Sequence, residues 1–346
     1  MQMIIGGIDL NHQIIYYGKT FSTNEINAYM TKDLTGQFLR FGISSYTFGK
    51  YVSKLMSFFR PFMVWIYLRN HRITNLKSNI LHFHYGNAIR DAYWLSKLGY
   101  SVVYTLHQVP TADMIKHLLR IQQNDNFQLV VVSNYLKELL FKAGIQRIKT
   151  VLNGIKFDQR IQVTPWTKLS KNRQTKILCI GRFNQEKGLD LLIDCVELLV
   201  QKNYKIKCVI LGDGPLLKSY LTSIKERKLN EYISLPGFKS DLHSFLVEAD
   251  LYVQPSRQET FSLSLLEAMA YGKRCIISDG TGMSGVLNGM GLCFSNGSVH
   301  DLLEKISDCI LNEGKMPSTA KQVAEESRKY DLGQMLRGYD DIYRTI

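Results

Sequence analysis

Short apolar runs alternate with segments of helical spacing along most of this chain. In the first half, the β-branched runs that predict strands are 79–83, 101–106, 129–133 and 149–152. The segments with helical spacing between them are 87–98, 113–123 and 135–143. Continuous apolar strands separated by helices are typical of parallel sheets that are covered on both faces.

The second half repeats this alternation, with predicted strands at 176–180, 207–211, 232–235, 251–253, 274–278 and 292–294. A polar segment without periodicity, 153–173, joins the two halves and is the predicted hinge. The pattern therefore predicts two doubly wound α/β domains, 1–160 and 161–330. Because ligands of such sheets lie at the carboxyl ends of the strands, we expect a cleft where the two domains face each other.

The composition is that of a globular protein of 346 residues. No apolar run approaches the roughly 20 residues of a membrane-spanning helix, and the first residues lack the basic, apolar and small-residue regions of a signal peptide. All six cysteines lie in the second half without a C-x-x-C pair, so we expect reduced core thiols and a cytoplasmic protein. His82 and His84 have no further ligand at metal-binding spacing, and no metal site is predicted.

Positive charge is concentrated in the first half, where 19 Lys and Arg stand against 8 Asp and Glu in residues 1–165. Between Asp33 and Asp91 there is no acidic residue, and cations are interleaved with aromatic residues such as Phe59 and Trp65. This mixture favours a peripheral contact with an anionic membrane surface. An ordinary core with a basic rim and a nucleic-acid surface are the alternatives, but no nucleic-acid motif accompanies the pattern.

The segment 255–270 carries the most chemical information. A strand runs into a polar turn with Glu259, and a helix with Glu267 follows. Free N–H groups at a helix start stabilise a phosphate, and a carboxylate accepts hydrogen bonds from sugar hydroxyls. Eight helical residues span about 12 Å, which does not indicate the carboxylate pair of a hydrolase. The alternative for Glu267 is a capping box with Ser264.

Further candidates follow other strands. Arg182 and Lys187, five positions apart, are suited to grip a diphosphate, although Lys187 is also explained as a solvated helix start. Gly212 and Gly214 permit close approach of a ligand, although Pro215 at a helix start explains the same turn. In the first half, His107 ends a strand where an imidazole can bond a substrate hydroxyl.

Taken in order, these stretches resemble the retaining GT-B glycosyltransferases of glycosyltransferase family 4. The stretches that carry the resemblance are His82-Phe83-His84, Thr105-Leu106-His107, Val132-Ser133, Asn153-Gly154-Ile155, Ile180-Gly181-Arg182-Phe183, Glu186-Lys187-Gly188, Leu211-Gly212-Asp213-Gly214-Pro215, Leu235-Pro236-Gly237-Phe238, Asp250-Leu251-Tyr252-Val253 and the E-x7-E element from Glu259 to Glu267. The C-terminal segment 331–346 resembles the family's last helix, which packs back on the first domain.

The resemblance implies a role for each side chain. Arg182 and Lys187 hold the donor diphosphate, Glu267 contacts the ribose, Glu259 contacts the transferred sugar, and His107 reaches the sugar from the first domain. The family needs no metal, since cations and a helix terminus stabilise the leaving group. Retention of configuration by same-face attack is also implied.

The backbone has implied roles too, at Phe261, Ser262 and Leu263 beside the sugar and at Gly7 beside a phosphate. The sequence departs from the family pattern where Ser262 and Ser264 occupy positions at which glycine is common. Gly6-Gly7 follows only five residues, so the first strand of the usual pattern is short or missing.

These observations predict an enzyme that transfers a hexose from a nucleotide diphosphate sugar, UDP rather than GDP, to a glycan or lipid-linked acceptor in cell-surface glycan synthesis. It requires no cofactor and lies on the inner face of the plasma membrane. A catalytically silent partner subunit and a DNA-modifying or DNA-binding protein of the same fold are the alternatives.

Overall fold

The computed structural model of the chain describes residues 13–17, 79–84, 89–312 and 316–346. The predicted phosphate contact Gly7 and most of the basic, aromatic segment between Asp33 and Asp91 lie outside these ranges. Within the described ranges, no helix combines the length and the apolar character that a membrane crossing requires.

The first sheet contains five parallel strands in the order β1-β2-β3-β4-β5. They are β1 Gln13–Tyr17, β2 Asn79–Phe83, β3 Ser101–Leu106, β4 Phe127–Val131 and β5 Ile148–Thr150. The connecting helices are α1 Ile89–Lys97, α2 Ala112–Ile121 and α3 Asn134–Lys142. The sequence predicts β2 to β5 and these helices within a few residues, whereas β1 is a strand that the prediction lacks.

Local chemistry explains where these helices begin. The hydroxyl of Thr111 accepts a hydrogen bond from the N–H of Met114 at the start of α2, and Ser133 caps α3 in the same way through Leu136. Such caps satisfy N–H groups that have no partner inside the helix. Every residue of β3 is buried, as expected for a central parallel strand covered on both faces.

The second sheet contains six parallel strands in the order β11-β10-β9-β6-β7-β8. They are β6 Thr175–Ile180, β7 Ile206–Leu211, β8 Ile233–Ser234, β9 Leu251–Gln254, β10 Arg274–Ser278 and β11 Leu292–Phe294. The helices are α4 Leu189–Gln201, α5 Leu217–Glu226, α6 His243–Glu248, α7 Leu263–Ala270, α8 Met283–Leu287, α9 Val299–Leu311 and α10 Ala320–Ser327. The last helix, α11 Leu332–Thr345, groups from Leu336 onward with the residues of the first sheet. All six strands of the second sheet are predicted by the sequence.

The segment 153–173, where the sequence places the hinge, carries contacts to the second sheet, and its role as a hinge stays a prediction. The indole N–H of Trp166 donates to the carbonyl of Gly272 at 2.6 Å, and the Arg274 guanidinium lies 4.7 Å from the Trp166 ring centre. Arg274 also donates to the carbonyl of Thr167 at 2.9 Å, and Leu169 is buried. Individual side chains hold this segment on the second sheet, and such isolated contacts leave no periodic pattern in the sequence.

The chain divides into two compact units, Met1–Leu152 with Leu336–Ile346, and Asn153–Met335. The sequence places the boundaries at 160/161 and 330/331. The difference at the first boundary has a physical cause, because Ile155 pairs with Asp331 in an isolated bridge and accepts from the N–H of Leu332 at 3.0 Å. The cleft expected between the domains stays a prediction.

Candidate active site

The strand order of the second sheet identifies where its ligand site lies. From β6 the chain moves through α4 to β7 on one side, and from β9 it moves through α7 to β10 on the other side. Since β6 and β9 are neighbours, the carboxyl edge between them is the switch point of the sheet, where open α/β sheets bind their ligands in a crevice. Lys187 follows β6 and Glu259 follows β9, so both predicted contacts belong to this crevice.

Lys187 and Glu259 form an ion pair between the ammonium group and Oε2. Their side chains are 23% and 13% exposed, so the pair is shielded but still reachable from solvent. The other carboxylate oxygen of Glu259 accepts from the N–H of Thr260 at 3.0 Å. A short 3-10 helix, Gln185–Lys187, carries the lysine and is capped by the amide oxygen of Asn184.

The two loops are fastened to each other close to this pair. The backbone N–H of Arg257 donates to the carbonyl of Glu186 at 2.7 Å, and the Arg257 guanidinium forms two bonds with Asp190, at 2.7 and 2.5 Å. Gly188 has φ 59°, and a Cβ there would lie 2.1 Å from the carbonyl oxygen of Pro255. Glycine is therefore required at position 188 because two backbones meet, and this closeness keeps Lys187 beside Glu259.

The start of α7 presents free hydrogen-bond donors at the same edge. Ser262 is the N-cap residue, and its hydroxyl oxygen accepts from the N–H of Leu265 at 3.1 Å. Within the described residues, the backbone N–H groups of Phe261, Ser262 and Leu263 have no acceptor. Three free donors at the positive end of a helix dipole form an environment that favours an anion.

The backbone of Ser262 is strained. Its φ of 76° and ψ of 96° lie in a region that suits glycine, and a side chain held there costs about 1–3 kcal/mol. Ser262 therefore carries a conformational penalty that a glycine would not. Its two side-chain hydrogen bonds, to the N–H of Leu265 and to Gln254, offset part of this penalty.

The position of the N-cap of α7 excludes the capping-box alternative for Glu267. Ser262, not Ser264, caps α7, and Ser264 is the second residue of the helix. The Ser264 hydroxyl donates to the carbonyl of Ile180 at 3.3 Å. The carboxylate of Glu267 has no hydrogen-bond or ion-pair partner among the described residues, so it does not bond its own helix end.

Glu267 is a partly buried carboxylate with unused bonding capacity. Burial raises the pKa of Glu267 from 4.5 to about 7, because desolvation disfavours the charged form. A pocket of about 200 Å³ beside it combines apolar and polar walls. The lining includes Ile155, Arg160, Asp241, His243 and Tyr271.

Arg182 differs from Lys187 in its surroundings. It is exposed, and in the part of the chain that the structure describes its guanidinium has no hydrogen-bond or ion-pair partner. The proposed diphosphate contact of Arg182 therefore stays a prediction. Its position, at the loop that follows β6, is the same edge of the sheet as that of Lys187.

Gly212 and Gly214 have a packing reason for being glycine. With φ of 143° and 157°, they lie against the preceding loop, where a Cβ on Gly212 would approach the carbonyl oxygen of Gly181 to 1.9 Å and one on Gly214 would approach that of Phe183 to 2.6 Å. The ligand contact predicted for both glycines stays a prediction. Pro215 precedes α5 in a turn and is not its first residue, contrary to the alternative drawn from the sequence.

The first unit holds the predicted residue His107 in a histidine pair. Its Nε2 lies 2.9 Å from Nδ1 of His84, so one of the two nitrogens donates to the other. His107 as a whole is exposed. Protein atoms near its imidazole ring remove part of the ring's solvation, and this desolvation lowers the pKa of His107 to about 4. The ring is therefore neutral near pH 7.

His82 lies beneath this pair and connects it to the C-terminal helix. Its two ring nitrogens are hydrogen-bonded to the hydroxyls of Tyr343, at 2.5 Å, and Thr105, at 2.7 Å. Burial lowers the pKa of His82 to about 3, so this imidazole is neutral as well. The hydroxyl of Tyr339, one turn before Tyr343, lies 3.2 Å from that of Thr105.

The sequence analysis missed Gln254, which is hydrogen-bonded to several of the site residues in the second unit. Gln254, the last residue of β9, is 1% exposed, and its amide bonds partners on both sides of the following turn. A polar residue at the end of an otherwise apolar strand was the available signal. Among the described residues, no group of three His, Cys, Asp or Glu side chains is arranged for a metal ion, and the predicted metal independence stays a prediction.

Residues 161–330 match the family described as Glycosyl transferases group 1. This match covers just under half of the chain, and with the relatives below it confirms the predicted enzyme class, a glycosyltransferase.

Three curated relatives are 26–28% identical to this chain over the aligned residues. Glycogen synthase of Acholeplasma laidlawii is 28% identical over 51% of this chain, which spans 40% of that protein. An uncharacterized glycosyltransferase of Methanocaldococcus jannaschii is 26% identical over 78% of this chain and 76% of its own length. Poly(ribitol-phosphate) alpha-N-acetylglucosaminyltransferase of Staphylococcus aureus is 26% identical over 66% of this chain and 46% of its own length.

Solved structures agree on the architecture. A glycosyltransferase of Rickettsia africae has a TM-score of 0.71 at 18% identity and covers 96% of this chain and 89% of its own. HepE of Anabaena in complex with UDP has a TM-score of 0.67 at 18% identity and covers 81% and 82%. The predicted GT-B fold class, with two parallel-sheet α/β domains, is confirmed.

Proposed function

We propose that this chain is a retaining glycosyltransferase that moves a hexose from a UDP-sugar to a glycan or lipid-linked acceptor in cell-surface glycan synthesis. The observation that carries the proposal is the Lys187–Glu259 ion pair, set at the switch point of the second sheet beside three free N–H groups. A cation and helix donors suit a diphosphate, and a carboxylate suits a sugar. The groups that suit a diphosphate and the carboxylate that suits a sugar lie at the same carboxyl edge of the second sheet.

The diphosphate contacts are assigned by charge and accessibility. Lys187 and Arg182 supply positive charge, and the N–H groups of 261–263 supply fixed dipoles that need no reorganisation during reaction. Such donors stabilise the charge that develops on the leaving phosphate as the bond to the sugar breaks. We therefore propose catalysis without a metal cofactor.

The carboxylates are assigned to the sugar and the ribose. Glu259 lies beside Lys187 and accepts hydrogen bonds through both oxygens, so it is held for contact with hydroxyls of the transferred hexose. Glu267 borders the pocket described above and has no partner of its own among the described residues. Ribose hydroxyls donating to Glu267 would compensate its lost solvation.

The retaining course rests on the resemblance to glycosyltransferase family 4. In that course the acceptor oxygen attacks the anomeric carbon on the face from which the diphosphate departs. The bond between the anomeric carbon and the phosphate oxygen breaks, and the acceptor proton passes to the departing phosphate. His107, neutral near pH 7, contributes a ring nitrogen that bonds the donor sugar.

The choice of UDP and of a cell-surface acceptor draws on neighbouring proteins. The Anabaena structure contains UDP, and the Staphylococcus aureus relative is named for transfer to poly(ribitol-phosphate). A peripheral contact with the inner face of the plasma membrane, through the basic half of the sequence, is part of the proposal. It agrees with an acceptor that is held at a membrane.

A panel of nucleotide sugars tests this function. We expect UDP-hexoses to raise the melting temperature of the protein, since a ligand at 100 times its dissociation constant adds about 2.7 kcal/mol of stability. Release of UDP from the stabilising sugar then excludes a silent partner subunit. Absence of any shift with UDP-, GDP- and ADP-sugars at millimolar concentration would contradict the proposal.

A further inference from the structure

Gln254 lies under the turn that carries the proposed donor contacts. Its amide oxygen accepts from the hydroxyls of Tyr252, at 2.8 Å, and Ser262, at 2.7 Å. Its amide nitrogen lies 3.4 Å from Oε2 of Glu259 and 3.5 Å from the hydroxyl of Ser256. One buried side chain thus touches the strand, the carboxylate and the helix cap together.

Ser262 makes this arrangement more than ordinary core packing. Its hydroxyl donates to Gln254 while its oxygen accepts from the N–H of Leu265, so both functions of the hydroxyl are used. The backbone at Ser262 has φ 76°, where an L-residue is strained. A residue in such a conformation persists when its surroundings hold it there.

We propose that Gln254 is a positioning residue that holds the strained Ser262 turn and the Glu259 carboxylate in a single arrangement. This inference rests on the proposed function, because the N–H groups at 261–263 and Glu259 then face the diphosphate and the sugar of one donor. The amide fixes their separation before the donor arrives. Positioning of this kind matters because a displacement of 1 Å reduces turnover by about 10²-fold.

Two substitutions at Ser262 separate strain from hydrogen bonding. Ser262→Ala and Ser262→Gly both remove the hydroxyl that bonds Gln254, but alanine keeps the Cβ at a positive φ. We expect Ser262→Ala to lower the melting temperature of the unliganded protein by about 3 °C more than Ser262→Gly. Equal melting temperatures for the two variants would overturn the claim that the turn is held under strain.

Gln254→Met tests the residue itself, since it keeps a similar volume and loses the amide. We expect turnover of the UDP-sugar to fall about tenfold or more while the affinity for UDP changes less than threefold. Gln201→Met, at the exposed end of α4, is the matched control and leaves both quantities unchanged. Unchanged turnover in Gln254→Met would reduce Gln254 to a core residue and overturn the proposal.

The double variant Gln254→Met/Ser262→Gly completes the design. Glycine does not need the amide to hold a positive φ, so we expect Gln254→Met to lower the melting temperature less in the glycine background than in the serine background. Equal losses in both backgrounds would overturn the coupling. These melting experiments use protein without donor, so they remain decisive for the coupling even if no UDP-sugar binds and the proposed function fails. If Gln254→Met does not fold, Gln254→Glu replaces it, because it keeps the oxygen that accepts from Tyr252 and Ser262 and loses the amide nitrogen beside Glu259. Turnover then falls about tenfold or more, and unchanged turnover would overturn the proposal.

Discussion

Lys187 and Glu259, 72 positions apart in the chain, form an ion pair between the loops that follow β6 and β9. These strands are neighbours at the switch point, where the strand order of the sheet reverses. Ligands of open α/β sheets bind at such points. The pair joins the two side chains to which the resemblance assigns the diphosphate and the sugar. The predictions below test that assignment one group at a time.

Removal of the Lys187 ammonium should slow transfer strongly. If Lys187 contacts the leaving diphosphate, Lys187→Ala removes about 2–4 kcal/mol of transition-state stabilisation, measured as a loss of turnover with a UDP-sugar. Lys176→Ala, which removes an exposed lysine of β6 paired with Glu248, is the control and keeps its activity. Wild-type turnover in Lys187→Ala would dismiss the role.

Glu259→Gln should separate transfer from nucleotide binding. The amide keeps the shape of the side chain and removes the charge that receives sugar hydroxyls, so turnover of the donor falls while UDP affinity, measured by calorimetry, stays within a few-fold. Removal of the carboxylate also frees Lys187 for the diphosphate. A large loss of UDP affinity with unchanged turnover would show that Glu259 serves the nucleotide instead.

Glu267→Gln should stabilise the unliganded protein at alkaline pH. The pKa of Glu267 is raised from 4.5 to about 7 by burial. Between these pH values Glu267 is ionised in the unfolded state and protonated in the folded state. The free energy of unfolding therefore falls as pH rises from 4.5 to 7, and above pH 7 it stays lower by a constant amount. That amount is about 3 kcal/mol at pH 8.

The measurement for Glu267 is urea unfolding of wild type and Glu267→Gln at pH 4 and pH 8. We expect equal stability near pH 4 and a more stable variant at pH 8, together with weaker UDP binding because ribose hydroxyls bond an amide oxygen less strongly than a carboxylate. A variant that is less stable at pH 8 and binds UDP normally would return Glu267 to a structural role.

Tyr343→Phe should weaken the first unit. The substitution removes the hydroxyl that is bonded to the buried imidazole of His82 at 2.5 Å, and loss of such a bond lowers the free energy of unfolding by about 1 kcal/mol. Tyr93→Phe is the control, because the Tyr93 hydroxyl has no hydrogen-bond partner within the described residues. Equal unfolding curves for wild type and Tyr343→Phe would show that this bond contributes nothing.

Much of the fold follows from sequence pattern, because each strand of the second sheet is an apolar run with its own turn signals. The pattern around 251–270 predicts the strand, the polar turn and the helix that are found. β1 was missed although Ile14 to Tyr17 is a β-branched and aromatic run. The contact of Trp166 with Arg274, 108 positions apart in sequence, anchors part of the predicted hinge 153–173 and leaves no signal in the local pattern.

The site was predicted less completely than the fold. The spacing of residues 264 and 267 is compatible with a capping box, but the N-cap residue is Ser262, two positions earlier than that motif requires. Gln254 was missed because its partners are brought together only when the turn folds over the end of β9. Sequence spacing indicates which residue types are near, and the backbone conformation determines which of them bond.

The central claim is that Lys187 and its neighbours bind the diphosphate of a nucleotide sugar, and calorimetric titration of UDP and of uridine into wild type and Lys187→Ala tests it most directly. We predict that wild type binds UDP at least about 10²-fold more tightly than uridine, a difference of about 2.7 kcal/mol, and that most of this difference disappears in Lys187→Ala. Equal affinities of wild type and Lys187→Ala for UDP would contradict the account.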